Sequence, residues 1–160
     1  MSVSAIEPGH TAMWFNPERS GEGLVVEVLA NDQVLLYWFT YDHEGNQRWL
    51  QGVGAVSFND PELPSVFFSD FYETRGPIFG PAFNPDNLEI IPAGTAELTF
   101  QDCENGLFTY QVNGEAGDIP VVRLSRTMGS TCRPLHGVPG EPTKPYAGES
   151  GSWFDPNSSG

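Results

Sequence analysis

Lysine is nearly missing from this chain: Lys144 is the only one, and Lys plus Arg total 7 against 21 Asp plus Glu, a formal charge of −14. A field of that sign repels phosphate, which disfavours nucleic-acid binding and docking on anionic membranes. No apolar run approaches the roughly 18 residues of a membrane helix, so no membrane insertion is expected. Residues 1–11 are polar and lack an apolar h-region; the expectation is no signal peptide, and for a secreted protein a mature or excised piece of a longer precursor. Histidine occurs three times and cysteine twice, without a Cys-x-x-Cys or a His/Cys cluster. A zinc site or haem attachment is therefore unsupported, and no metal or cofactor is expected. Gly21-Glu22-Gly23 and Gly52-Val53-Gly54 have neither a strand-to-helix context nor a P-loop lysine, and read as bulges or close packing in strands. The turns at Asp42–Asn46 and Asn84–Asn87 lack the EF-hand spacing for calcium.

Glycine (18) and proline (14) make up one fifth of the 160 residues, which excludes a long helical bundle. Apolar residues at 39% and aromatics at 12% suffice for one ordinary core. Segments rich in β-branched and aromatic residues recur between turn residues, giving one weak strand around Trp14 and seven clear ones. These run near residues 23–29, 34–41, 48–56, 65–73, 95–101, 107–112 and 119–126. Ala96, Leu98 and Phe100 share one face, and Phe108, Tyr110 and Val112 repeat the alternation. The segment 34–41 is apolar on both faces, which suggests a central strand covered on each side. Asn31-Asp32, Asp42–Gly45, Glu104–Gly106 and Asn113-Gly114 supply hairpin turns. The expected fold is all-β, an antiparallel up-and-down barrel of about eight strands, with a two-sheet sandwich as the alternative. Residues 74–92 form the longest irregular stretch.

Cys103 and Cys132 read as one structural disulfide of an oxidising compartment, or else as two buried thiols. A bridge closing a loop of about 30 residues would contribute about 3.6 kcal/mol by the chain-entropy argument.

From Pro134 the chain turns Pro- and Gly-rich, an extended linker. Beyond it, Trp153-Phe154-Asp155-Pro156-Asn157-Ser158-Ser159-Gly160 repeats Trp14-Phe15-Asn16-Pro17-Glu18-Arg19-Ser20-Gly21 at an offset of 139, with five of eight positions identical. Chance is a poor explanation when Trp, Pro and Gly recur in register. The division expected is an N-terminal extension (1–11), a barrel module (12–132), a linker (133–148), and the start of a second copy or a docking arm (149–160).

The motif Trp-Phe-Asn-Pro-x-x-Ser-Gly-x-Gly at Trp14–Gly23 resembles the opening of a repeat domain of secreted or surface proteins of Gram-negative bacteria. The same domain has a Trp-Phe-Thr-Tyr-Asp core, matched by Trp38, Phe39, Thr40, Tyr41, Asp42, Gly45 and Trp49. Further matches are Thr-Arg-Gly at Thr74–Gly76 with Phe79-Gly80, Phe100-x-Asp102-Cys103, and Arg123-Leu-x-Arg126. The resemblance spans about residues 12–132, with Ala12 where the first Gly usually stands. It implies a secreted or surface location and supplies no catalytic residue.

Trp14, Tyr37, Trp38, Phe39, Tyr41 and Trp49 read first as core and, for the set that core does not take, as candidates for stacking on a sugar ring or clasping an apolar ligand. Arg75 and Arg123 stand among acid and apolar residues; each is expected to pair with a carboxylate across the barrel, and either is a candidate for holding an anionic ligand group. Hydrolysis is poorly supported. His10, His43 and His136 lie in a tail, a turn and a linker, and Ser20 lacks a nucleophile elbow. The first functional expectation is a non-catalytic extracellular module, used in tandem, that binds a ligand or glycan through aromatic side chains. The alternative is a self-assembling subunit whose arm (Trp153, Phe154, Pro156) adds a strand to a neighbour. A hydrolase, which would engage Glu22 and Glu27, is third.

Overall fold

The computed structural model describes residues 6–57, 60, 63–128, 132 and 151–153. Eight strands close into an antiparallel barrel in which each pairs with its sequence neighbours and β1 with β8. They are β1 (Ala12–Phe15), β2 (Gly23–Val28), β3 (Gln33–Tyr41), β4 (Gln47–Ser57), β5 (Ser65–Arg75), β6 (Glu89–Phe100), β7 (Asn105–Val112) and β8 (Glu115–Arg123). The up-and-down barrel read from the sequence is thus the fold, and the sandwich is set aside. Strands β5 and β6 extend further than their apolar patterns indicated, whereas β8 starts four residues earlier and ends three residues earlier than the expected 119–126. The irregular stretch shrinks to the thirteen residues between β5 and β6, which include a one-turn helix at Pro85–Asn87.

The hairpins form where residues tolerate positive φ. Asn31 and Asp32 (φ 60° and 55°) turn β2 into β3, and Asn113 and Gly114 (53° and 85°) turn β7 into β8. Both pairs match the twist of the strands they join.

Alternation sends one side chain of each pair inward. Trp14, Leu36, Trp38, Leu50, Phe68, Phe71, Leu98, Phe100 and Phe108 fill the interior, all but Trp38 at 3% exposure or less. Strand β5 breaks the alternation: Phe68 and Phe71 both face inward although three residues apart. Register shifts against β4 and β6 place a bulge between them. The facing glycines of β4 make room for this. A Cβ on Gly52 would stand 2.9 Å from both the Asp70 carbonyl and the Phe71 ring, and one on Gly54 would stand 2.6 Å from Val66.

Strand β3 is not covered on both sides as expected. Leu36 and Trp38 are core, whereas Phe39 and Tyr41, each 47% exposed, lie outside, because a single closed sheet has no second layer to cover them.

The two barrel ends differ. At the end where β1 begins, residues 6–11 pack onto the barrel: Ile6 and His10 are buried, and the one-turn helix Pro8–His10 lies against β2. Cys103 and Cys132 form a disulfide there, with Cα atoms 5.8 Å apart. At the opposite end lie the β3–β4 and β7–β8 turns and the last residues of β5.

Candidate functional site

The seven residues singled out as a ligand surface separate into four groups. Trp14 and Trp38 point inward; alternation along β1 and β3 removes both from any outer surface. The Trp14 indole donates to the His10 carbonyl (3.2 Å), and the Trp38 indole donates to Glu22 (3.0 Å).

Tyr37, Phe39 and Trp49 come together on the outer face of β3 and β4. Phe39 pairs with Trp49 across the ladder, while the Tyr37 ring lies 6.4 Å from Phe39 and 6.1 Å from Trp49. Phe39 and Trp49 are 47% and 39% exposed. With Val25, Ser152 and Trp153 they line an open groove of about 390 Å³. Tyr41 is set apart from it: a Cβ on Gly21 would stand 3.1 Å from the Tyr41 hydroxyl, so this ring lies over the loop between β1 and β2.

Arg75 lies next door, in a polar cleft of about 620 Å³ at the β5 end of the barrel, which shares Trp49 with the aromatic groove. Its guanidinium donates to Glu73 of its own strand (2.8 Å) rather than to an acid across the barrel. The cross-strand partner is Arg48, whose Nε lies 2.5 Å from the other Glu73 oxygen. Burial opposes ionisation of Glu73. The hydrogen bond and charge of Arg48, then those of Arg75, outweigh it and hold the carboxyl below its usual value. Sequence reasoning missed Arg48 and Glu73. The available signal was an acid two residues beyond the inward Phe71, on the same face of the strand.

Arg123 also departs from expectation. It donates to the Gly9 carbonyl and lies over the Trp14 ring, 5.3 Å from its centroid. Burial, the largest effect on it, lowers its pKa.

Groups considered for hydrolysis are spread over both ends. His10 is not in a loose tail: it is 5% exposed, its ring 4.5 Å from that of Phe100, and burial pushes its pKa down to about 4. Its Nε2 lies 3.4 Å from Cys132 Sγ. The donor atoms of His10, Cys103 and Cys132 lie within 4.8 Å of one another, but the two sulfurs are bonded to each other and are spent as metal ligands. His43 is exposed and contacts Glu115 (3.1 Å). His136 lies outside the described residues. Ser20 is exposed in the loop between β1 and β2, at the end opposite His10. Glu22 is committed to Arg19 (2.7 Å), Trp38 and Thr40 (2.7 Å), and Glu27 lies on the outer face of β2. Neither glutamate is placed with a histidine.

These contacts give the sequence motifs a structural meaning. Glu22 ties the loop after β1 to Trp38 and Thr40 of β3. Asp42 accepts from the Glu44 and Asn46 amides (2.9 Å each) and from the Asn46 side chain (3.0 Å). Those Asn46 hydrogen bonds lower the Asp42 pKa, and Gly45 takes the positive φ (83°) the turn requires. Asn84 likewise accepts from the Asp86 amide at 3.0 Å. The turns at Asp42–Asn46 and Asn84–Asn87 are thus organised by their own side chains.

No protein-family model, no curated protein and no solved structure matches this chain.

Of the arm residues, Trp153 is 82% exposed beside the aromatic groove, and Phe154 and Pro156 lie outside the described residues.

Proposed function

We propose that this chain is a non-catalytic extracellular module of a tandem-repeat bacterial protein, and that it binds a ligand or glycan through its outer aromatic face. The observation that carries this reading is the exposed pair Phe39 and Trp49, with the half-buried Tyr37 beside them, outside a barrel whose interior is filled by its own rings. A large apolar group exposed beside a groove is unfavourable in water, and the flat apolar face of a sugar ring covers it well. The disulfide is consistent with an extracellular location, and the motif resemblance supports secretion or surface display in a Gram-negative bacterium.

The test is a titration of the folded chain with oligosaccharides and an apolar dye, read by tryptophan fluorescence. Quenching by at least one probe is expected, with a roughly tenfold weaker response in Trp49→Ala. No response to any probe sinks the reading.

A second reading, a structural building block, is favoured by one observation: residues 151–153 rest on this same outer face, with Ser152 bonded to Glu27. Among the described residues every strand already has two neighbours. A docking arm would therefore bind a face and not extend a sheet.

A further inference from the structure

We propose that the outer face of β2, at Glu27 and Val25, is the seat on which the next copy of this module in the same chain is mounted, through Gly151–Trp153 as its first strand. The inference rests on the tandem part of the reading above and is independent of what the aromatic groove binds.

Three observations converge. The offset of 139 that aligns Trp153 with Trp14 also aligns Gly151 with Ala12 and Ser152 with Met13, so residues 151–153 occupy the positions of β1. In β1, Ala12 and Trp14 face the core and Met13, 50% exposed, faces out. The second copy repeats that polarity toward the first barrel. Ser152, at the outward position, donates to Glu27 Oε2 from both its amide (3.1 Å) and its hydroxyl (2.6 Å). Trp153, at the inward position, is 82% exposed, whereas its counterpart Trp14 is fully buried. The outward side of the incipient strand is satisfied by the first module, and its inward side presents the ring that a second core would cover.

Gly151 is the third observation. It lies so close to the carboxylate that a Cβ would stand 3.2 Å from Glu27 Oε1. A two-donor contact to an ionised carboxylate fixes orientation as well as position. Trp153 also lines the groove with Tyr37, Phe39 and Trp49, so the second copy would abut that groove.

NMR of the 160-residue chain tests this without a ligand. Expected are a protected Ser152 amide and cross-relaxation between Ser152 or Trp153 and Val25 or Tyr37. Both should be lost in Glu27→Ala, with amide exchange at residue 152 faster by roughly tenfold, and weakened in Ser152→Ala, which removes the hydroxyl donor and keeps the amide one. The β-barrel signals remain, because Glu27 and Ser152 are outside the core. A mixture of labelled and unlabelled chains shows whether the contact is within one chain. Missing contacts, contacts that survive Glu27→Ala, or contacts only between chains overturn the proposal. A chain that shows the contacts but quenches with no probe leaves this inference standing and removes the ligand reading.

Discussion

Where β1 begins, the barrel is stoppered by Ile6, the His10 ring, Phe100 and the Cys103–Cys132 bridge; where β5 ends, it is closed by a carboxylate held between two guanidiniums. Both ends bury titratable groups, and they satisfy them in opposite ways. Burial keeps His10 uncharged, so the group adapts to the apolar surroundings. Glu73 stays charged because Arg48 and Arg75 are brought to it. In a chain with only seven lysines and arginines, two are gathered around one acid. Apolar packing at one end and charge balance at the other close the same barrel, so variants should separate the two in size and in pH dependence.

The largest effect is expected at the apolar end, where Trp14 packs on Phe100 and donates to the His10 carbonyl. Trp14→Ala removes a fully buried indole and should cost about 4 kcal/mol, measured as a lower urea midpoint. If instead the loss is under about 1 kcal/mol, the apolar end does not carry the closure. Next comes the bridge. Cys103→Ser with Cys132→Ser should cost about 3.6 kcal/mol in the same assay, since the closed loop spans 29 residues.

Acid should act on both ends, in different windows. His10 has a folded pKa of about 4, below its unfolded 6.5, so the unfolded chain binds the proton more readily. Its contribution is complete above pH 6.5 and is lost as pH falls towards 4, a change of about 3 kcal/mol. Glu73 is depressed below 4.5, so its contribution is complete above that value and is lost only at lower pH. Unfolding midpoints measured from pH 7.5 to 4 should flatten in His10→Gln and keep their slope in Arg48→Ala; the reverse pattern would mean the ends have been assigned wrongly.

The charged end gives the smaller effects. Arg48→Ala leaves Glu73 with one cation and should cost about 2 kcal/mol, whereas Arg75→Ala, at a 67% exposed side chain, should cost under about 1 kcal/mol.

Much of this was legible in the sequence. Regular spacing of β-branched segments, with Asn31-Asp32 and Asn113-Gly114 between them, specifies sequential antiparallel neighbours. Eight of these close into the barrel. The pairing of the two cysteines agrees with the oxidising-compartment reading. Less legible was which face of β3 is inside. Leu36 and Trp38 compete with Tyr37, Phe39 and Tyr41, both sets are apolar, and only closure of the sheet decides. The β5 bulge was hidden because it depends on glycines of the neighbouring strand. Arg48 and Glu73 are 25 residues apart and meet only through strand pairing. The role of His10 depends on Phe100, ninety residues away. The Glu27–Ser152 contact joins residues 125 apart, and no local pattern announces it.

The disulfide has a mechanical consequence. Cys103 lies in the turn between β6 and β7, and Cys132 lies beyond β8. When the chain is stretched from outside the barrel, tension reaching Cys132 passes through the sulfur bridge to Cys103. β7 and β8 then lie off the load path. The shortest seam of the barrel, paired only at Trp14–Arg123 and Phe15–Val122, is tugged from the β1 side alone. Pulled in an optical trap, an oxidised chain should extend less than a reduced one by roughly 100 Å, the length of the shielded segment at about 3.6 Å per residue.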